Sequence, residues 1–326
     1  MNEVESRAVG APGSPSAPSG PGRRVVVKLN GLVPLLSPRP ADLPAAVAQV
    51  EEWGAHAVVL GQHLFYDSRV DHGSVHLDPT RVSLDPLLTL AAIAAATSTI
   101  RLTTGAIVAP LYSAPGLGKA VATLDQLSRG RVELGVVAGW QRSEFDALGV
   151  PFDERFARLE EIVSFCRVMW AGSPFSFDGR WTRVQRVYSN PVPWQGAGVP
   201  ILIGGRPTRI TARRVARLGD GWIASEGASV SDVETGVTRL RAACAELGGD
   251  PARPRVRATA RRSGSGDVAG DLADRAGELF AAGATDVTIA LGEVARDRAE
   301  AEDVIRAVLE RAGHRAAWPL RRRDSL

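Results

Sequence analysis

The residues of this chain that could do chemistry fall where β-like runs stop. His63 closes the stretch AVVLGQH that begins at Ala57, and an imidazole at a strand end can give or take a proton near neutral pH. The stretch GVVAGWQRSE, Gly135 to Glu144, loses its apolar character at Gly139 and Trp140. A bare glycine lets a ligand approach the backbone and an indole offers a flat wall, so a site for a planar molecule is expected there, with Arg142 or Glu144 at its rim. The other reading is a turn, with Gly139 serving the bend and Trp140 capping the core. In LIGGRPTRI, Gly204, Gly205 and Arg206 run into Thr208 and a helical pattern. Such a junction offers backbone N–H groups and a positive dipole end to an anion, or serves only as a tight turn. His56, at the start of its strand, reads as structural. His72 and His76, with Asp67, Asp71 and Asp78, share one loop, whereas barrel metal sites draw ligands from several strand ends; no metal is expected. Cys166 and Cys244 sit in apolar helical patterns and read as buried free thiols.

The elements that must position these residues follow from patterning. Short β-rich runs start at Val25, Ala57, Ile100, Val132, Pro200, Gly221, Arg255 and Asp286 and alternate with helical stretches, the pattern of a parallel sheet covered by helices. Eight such units predict a (β/α)₈ TIM barrel over residues 23–316, with the active site where strands end. No Gly-rich dinucleotide turn follows the first run, which argues against a doubly wound sheet. Residues 171–199, rich in Pro, Gly and aromatic residues, read as a hairpin and loop inserted between the fourth helix and the fifth strand, of the kind that often forms a lid or binding loop. Residues 1–22, dominated by Pro, Gly, Ser and Ala, read as a disordered tail, and residues 317–326 as a charged one. A net charge of +3 with scattered arginines does not suit a nucleic-acid partner. No apolar run is long enough for a bilayer and no secretory leader is evident, so a cytoplasmic protein is expected, with a small-molecule substrate, no membrane partner, and a homodimer as an open assembly.

Whole phrases then become familiar. DPLLTLAAIAAATSTIRLTTGAIVAP, ATLDQLSRGRVELGVVAGWQRSEFDALGVPFDERFARLEE and VPILIGGRPTRITARRVARLGDGWIAS resemble the luciferase-like monooxygenase superfamily of flavin and deazaflavin oxidoreductases, and EFDALGVPFDER is most similar to its coenzyme F420 branch. The resemblance runs from Val25 to Thr288 and is weak after Ser231. It implies that His63 faces the deazaflavin or the substrate, that a non-prolyl cis peptide at Gly105–Ala106 lies behind the ring, that Gly139 and Trp140 border the pocket, and that Gly204, Gly205 and Arg206 hold the phosphate side. Two positions depart from the family. Gln62 stands where an acidic residue is usual, and Tyr112-Ser113-Ala114-Pro115 replaces an Arg-His-Pro step. Ala138 occupies the place of an arginine that holds FMN phosphate in bacterial luciferases, which favours F420 with hydride transfer over FMN with monooxygenation. A barrel that binds ligand without chemistry is the third reading. Phe65, Tyr66, Tyr112, Trp140 and Trp181, with Phe175 and Phe177, predict a mostly apolar, medium-sized substrate.

Overall fold

The computed structural model describes residues 22–30, 35–36, 39–68, 83–262, 264 and 267–314. Almost all of both expected tails, and the loop carrying Asp71, His72, His76 and Asp78, lie outside the described residues. Eight strands form the barrel: β1 (Arg24–Lys28), β2 (Ala57–Leu60), β3 (Arg101–Thr104), β5 (Val132–Val137), β8 (Ile201–Gly205), β9 (Gly221–Ala224), β10 (Arg255–Ala260) and β11 (Asp286–Ile289). They pair in parallel in that order, and β11 returns to β1 through Arg24↔Asp286 and Val26↔Thr288, so no edge is left open. Short β4 (Ile107–Val108) continues β3 past the cis peptide Gly105–Ala106 and pairs with the end of β5. The helices between strands are α1 (Leu43–Glu52), α2 (Pro86–Ala96), α3 (Ala114–Leu127), α4 (Arg142–Ala147), α5 (Arg155–Trp170), α6 (Arg209–Leu218), α7 (Val230–Glu246) and α8 (Val268–Ala281), followed after β11 by α9 (Leu291–Val294) and α10 (Arg298–Arg311). None is long and apolar enough to cross a membrane.

The strands read as continuous apolar runs because parallel strands are covered on both faces. Alternation still sorts the side chains. Val25, Val27, Val58, Leu60, Leu102 and Leu134 point outward into the main core beneath the helices, whereas Val26, Ala57 and Val59 form a small separate cluster inside the barrel. The same period of two builds an ionic base at the end where strands begin. Buried Glu133 receives Arg24, Arg101, Arg255 and Arg257, and Arg24 and Arg255 also pair with buried Asp286. Burial alone would raise the Glu133 carboxyl; the guanidiniums of Arg24, Arg255, Arg101 and Arg257 outweigh it and hold Glu133 well below the usual carboxylate range.

The expected insertion is a hairpin, β6 (Phe175–Asp178) antiparallel to β7 (Arg183–Val187). It packs on the outside of the barrel instead of covering a site. Phe175 and Phe177 meet the edge of Phe165 on α5 at 5.9 and 5.2 Å, and the carboxylate of Glu161 on the same helix accepts hydrogen bonds from the N–H groups of Arg180, Trp181 and Thr182 at its turn. Phe175, Phe177 and Trp181 are therefore buttresses of α5, and the reading of this segment as a substrate-contacting loop is corrected.

Candidate active site

At the opposite end from the ionic base, the strand ends enclose a cavity of about 580 Å³, within the usual range for small-molecule sites. One part of its wall is nearly free of side chains: Gly61, Gly105, Ala106, Gly204, Gly205, Ala224 and Ser225 present mostly backbone. Val59, Val108, Val137 and Ile223 add apolar surface, and His63, Tyr66 and Trp140 an aromatic one. Walls this poor in side chains leave room for a planar ring such as a flavin or deazaflavin. Opposite the aromatic wall stand Lys28, Glu226, Arg261 and Glu293. Lys28 pairs tightly with Glu226 and lies 3.7 Å from Glu293, and Arg261 lies 3.5 Å from Glu226. These four charges, at or just beyond the ends of β1, β9, β10 and β11, escaped the sequence reading. The alternations Arg24-Val26-Lys28 and Arg255-Arg257-Thr259-Arg261 place Lys28 and Arg261 on the inward face, whereas Glu226 and Glu293, beyond their strands, carry no such signal.

His63 is held from several sides. Its ring lies 4.7 Å from that of Tyr66 and 5.4 Å, edge-on, from that of Trp140. The residues after Trp140 explain why a polar stretch follows β5. Gln141 donates from Nε2 to the Phe65 carbonyl at 2.7 Å and accepts from the Asp67 N–H at 3.2 Å, while Oε1 of Glu144 accepts from the Leu64 N–H at 2.8 Å. The start of α4 thus clamps the loop after β2, and with it His63. Glu144, expected at the rim, is buried, because the loop's backbone and His63 close over it. Arg142 does stand outside, over the ring of Phe152 at 4.5 Å.

Gly139 requires a second correction. It does not line the cavity. Its φ of +88° is one that glycine tolerates best, and a Cβ there would come within 2.5 Å of Val108 Cγ1 and 2.9 Å of Phe145. Packing and backbone conformation demand the glycine, not ligand clearance; Trp140 next to it does face the cavity. Gln62 is buried and bridges two elements, its Oε1 accepting from the Val108 N–H at 2.9 Å and its Nε2 donating to Tyr112 Oη at 3.0 Å. A carboxylate could not donate that second bond, so the amide at position 62 and the tyrosine at 112 explain each other. Burial, with a smaller effect from Asp85, pushes the Tyr112 phenol up to about 12. Tyr112 supports the wall from behind without lining it, and exposed Phe65 lies outside the lining too. Gly204 and Gly205 line the cavity, whereas Arg206 is exposed beyond it, and at the start of α6 the Thr208 hydroxyl accepts from the Thr211 N–H.

The same architecture and partial sequence matches occur in known proteins. The chain is 33% identical over 157 residues, 47% of its length and 42% of the relative's, to the FMNH2-dependent dimethylsulfone monooxygenase of Pseudomonas fluorescens. It is 29% identical over 193 residues, 58% of its length and 54% of the relative's, to the F420-dependent glucose-6-phosphate dehydrogenase of Gordonia bronchialis. These matches span about half the length of each relative. An F420-dependent secondary alcohol dehydrogenase solved with an F420–acetone adduct superposes with a TM-score of 0.73 at 16% identity, covering 89% of this chain and 99% of that one, a likeness of fold. The profile of one family matches residues 24–319, nearly the whole barrel with its cavity and its clamped histidine, and the chain belongs to that family, the luciferase-like monooxygenases.

Proposed function

We propose that this barrel is an oxidoreductase that transfers hydride between coenzyme F420 and a small to medium-sized organic substrate. The observation that carries this reading is the cavity itself, in which a wall of mostly backbone, suited to a planar ring, meets a histidine braced between two aromatic rings. F420 supplies a carbon centre that accepts or releases hydride. The chain supplies the rest: Gly105, Ala106, Gly204 and Gly205 shape the flat wall, Trp140 and Tyr66 limit water around the reacting atoms, and His63 carries the accompanying proton. Holding the two reactants in register inside such a cavity is itself a large part of the rate enhancement. Ala138 is buried and offers no cation to a phosphate, which supports F420 over FMN. FMN-dependent monooxygenation is the second reading, favoured by the Pseudomonas relative.

The cavity also revises the substrate. The expected aromatic lining reduces to Tyr66 and Trp140, and the facing wall is charged, so an apolar body with a polar end fits better than a wholly apolar molecule. The test is a parallel titration of the purified protein with F420 and FMN, followed by cofactor fluorescence. Quenching of F420 at micromolar or lower concentration, with FMN held at least ten times more weakly, is expected. The reverse order of affinities would move the assignment to the monooxygenase reading.

A further inference from the structure

Glu144 does more than close the loop. Its Oε1 is fixed by the Leu64 N–H at 2.8 Å, and its Oε2 stands 3.4 Å from Nδ1 of His63. That nitrogen is buried and has no hydrogen-bond partner among the described residues. The imidazole lines the cavity, and its other nitrogen, Nε2, has no hydrogen-bond partner among the described residues. A carboxylate accepts hydrogen bonds and never donates them. A neutral imidazole beside it is therefore more stable with its proton on Nδ1, which leaves the Nε2 lone pair for the cavity.

We propose that Glu144 is a positioning residue that sets the tautomer of His63, so that Nε2 is the proton acceptor of the site when the ring is neutral and its donor once the ring is charged. The catalytic consequence rests on the reading of the protein as a hydride-transferring oxidoreductase. When an alcohol is oxidised, its carbinol C–H bond breaks and the hydrogen leaves with both bonding electrons, as hydride, to the oxidised cofactor, its O–H proton goes to Nε2, and the C=O bond forms. In the reverse direction the carbonyl carbon receives hydride and Nε2–H returns the proton to oxygen. The imidazolium formed on Nε2 is stabilised by Glu144 on the other side of the ring, the logic of a carboxylate behind a catalytic histidine.

The experiment needs no cofactor at first. Protein labelled with ¹⁵N-histidine is examined by NMR at a pH where the ring is neutral, with the His63 signals identified by their loss in His63→Gln. The expected result is Nδ1 protonated and Nε2 resonating as a bare ring nitrogen. In Glu144→Gln the amide oxygen still accepts from Leu64 while its NH₂ group turns to Nδ1, so the proton should move to Nε2 and the two resonance types should exchange. For that variant we expect F420 affinity within about threefold of wild type and kcat lower by on the order of 10²-fold or more, with KM changed much less and part of the loss recovered in Glu144→Asp. A wild-type spectrum with the proton on Nε2 would overturn the proposal, as would a Glu144→Gln variant that folds and keeps wild-type turnover. If the variant does not fold, the wild-type spectrum still decides the tautomer. Failure to bind F420 would count against the oxidoreductase reading while leaving the tautomer measurable.

Discussion

His63 and Gly139 show how differently two residues at strand ends earn their places. His63 is 20% exposed through its side chain and faces the cavity, so its removal should act on chemistry: His63→Ala is expected to lower turnover on the order of 10²-fold while F420 affinity falls by less than tenfold, read from steady-state kinetics beside a fluorescence titration. Near-normal turnover would assign this histidine to packing alone. Gly139 belongs to packing already. Valine there would meet Val108 and Phe145 and would have to adopt φ +88°, so Gly139→Val should lower the melting temperature by ten degrees or more or abolish soluble expression, as followed by circular dichroism. A stable variant that lost only ligand binding would instead put this glycine at the cofactor. The residue types at both positions were legible in the sequence. What separates their roles is what each meets, Val108 from β4 and Phe145 from α4 around Gly139 against Tyr66, Trp140 and Glu144 around His63, and no local pattern reports that.

At the scale of elements, the start of α4 and the loop after β2 form one unit through Gln141 and Glu144. The strand count and the position of the inserted hairpin could be read from short β-rich runs alternating with helical stretches and from Pro-Gly punctuation. The hairpin's outward direction could not, because Phe175 and Phe177, spaced as one face of a strand, suit an outer helix and a ligand equally well; Glu161 on α5 decides it by accepting three backbone N–H bonds at the turn. The burial of Glu144 is illegible for a related reason: a glutamate in a first helical turn is ordinarily solvated, and it is the loop after β2 that closes over this one. The start of β2 carries a pH-sensitive contact. His56 accepts the Val25 N–H on Nδ1 and its ring lies 4.4 Å from that of His314; burial, then His314 and Arg24, push it down to about 4 against a weaker pull from Asp286. The folded chain thus refuses a proton that the unfolded chain accepts below about pH 6.5. The stability this contributes is complete above that pH and is lost as the pH falls toward 4, by at most about 3 kcal/mol. Denaturant unfolding at pH 7 and pH 4.5 should show the decline, and His56→Gln should flatten it; equal slopes in the two proteins would remove His56 as the cause.

The whole molecule divides along the barrel axis into an ionic base where the strands begin and a cavity where they end. Four guanidiniums on one buried carboxylate make Glu133 the hub of the base. Glu133→Gln leaves those charges facing one another and should cost on the order of 3 to 5 kcal/mol, measured by urea denaturation; a loss below about 1 kcal/mol would show that solvent at the open end of the barrel already screens them. The closed barrel was readable from eight alternating units. The charged arc of Lys28, Glu226, Arg261 and Glu293 was not, since it assembles only when the last strands close against the first. On the proposed function, the cavity at the strand ends is a deazaflavin site served by His63. A crystal structure with F420 bound tests it most directly. The expected structure has the ring inside the cavity, flat against Gly105–Ala106, with Nε2 of His63 facing the space left beside it and Lys28, Glu226, Arg261 and Glu293 bounding the far end of that space. Cofactor bound elsewhere on the chain, or a ring in the cavity with His63 turned away from both cofactor and substrate space, would contradict it.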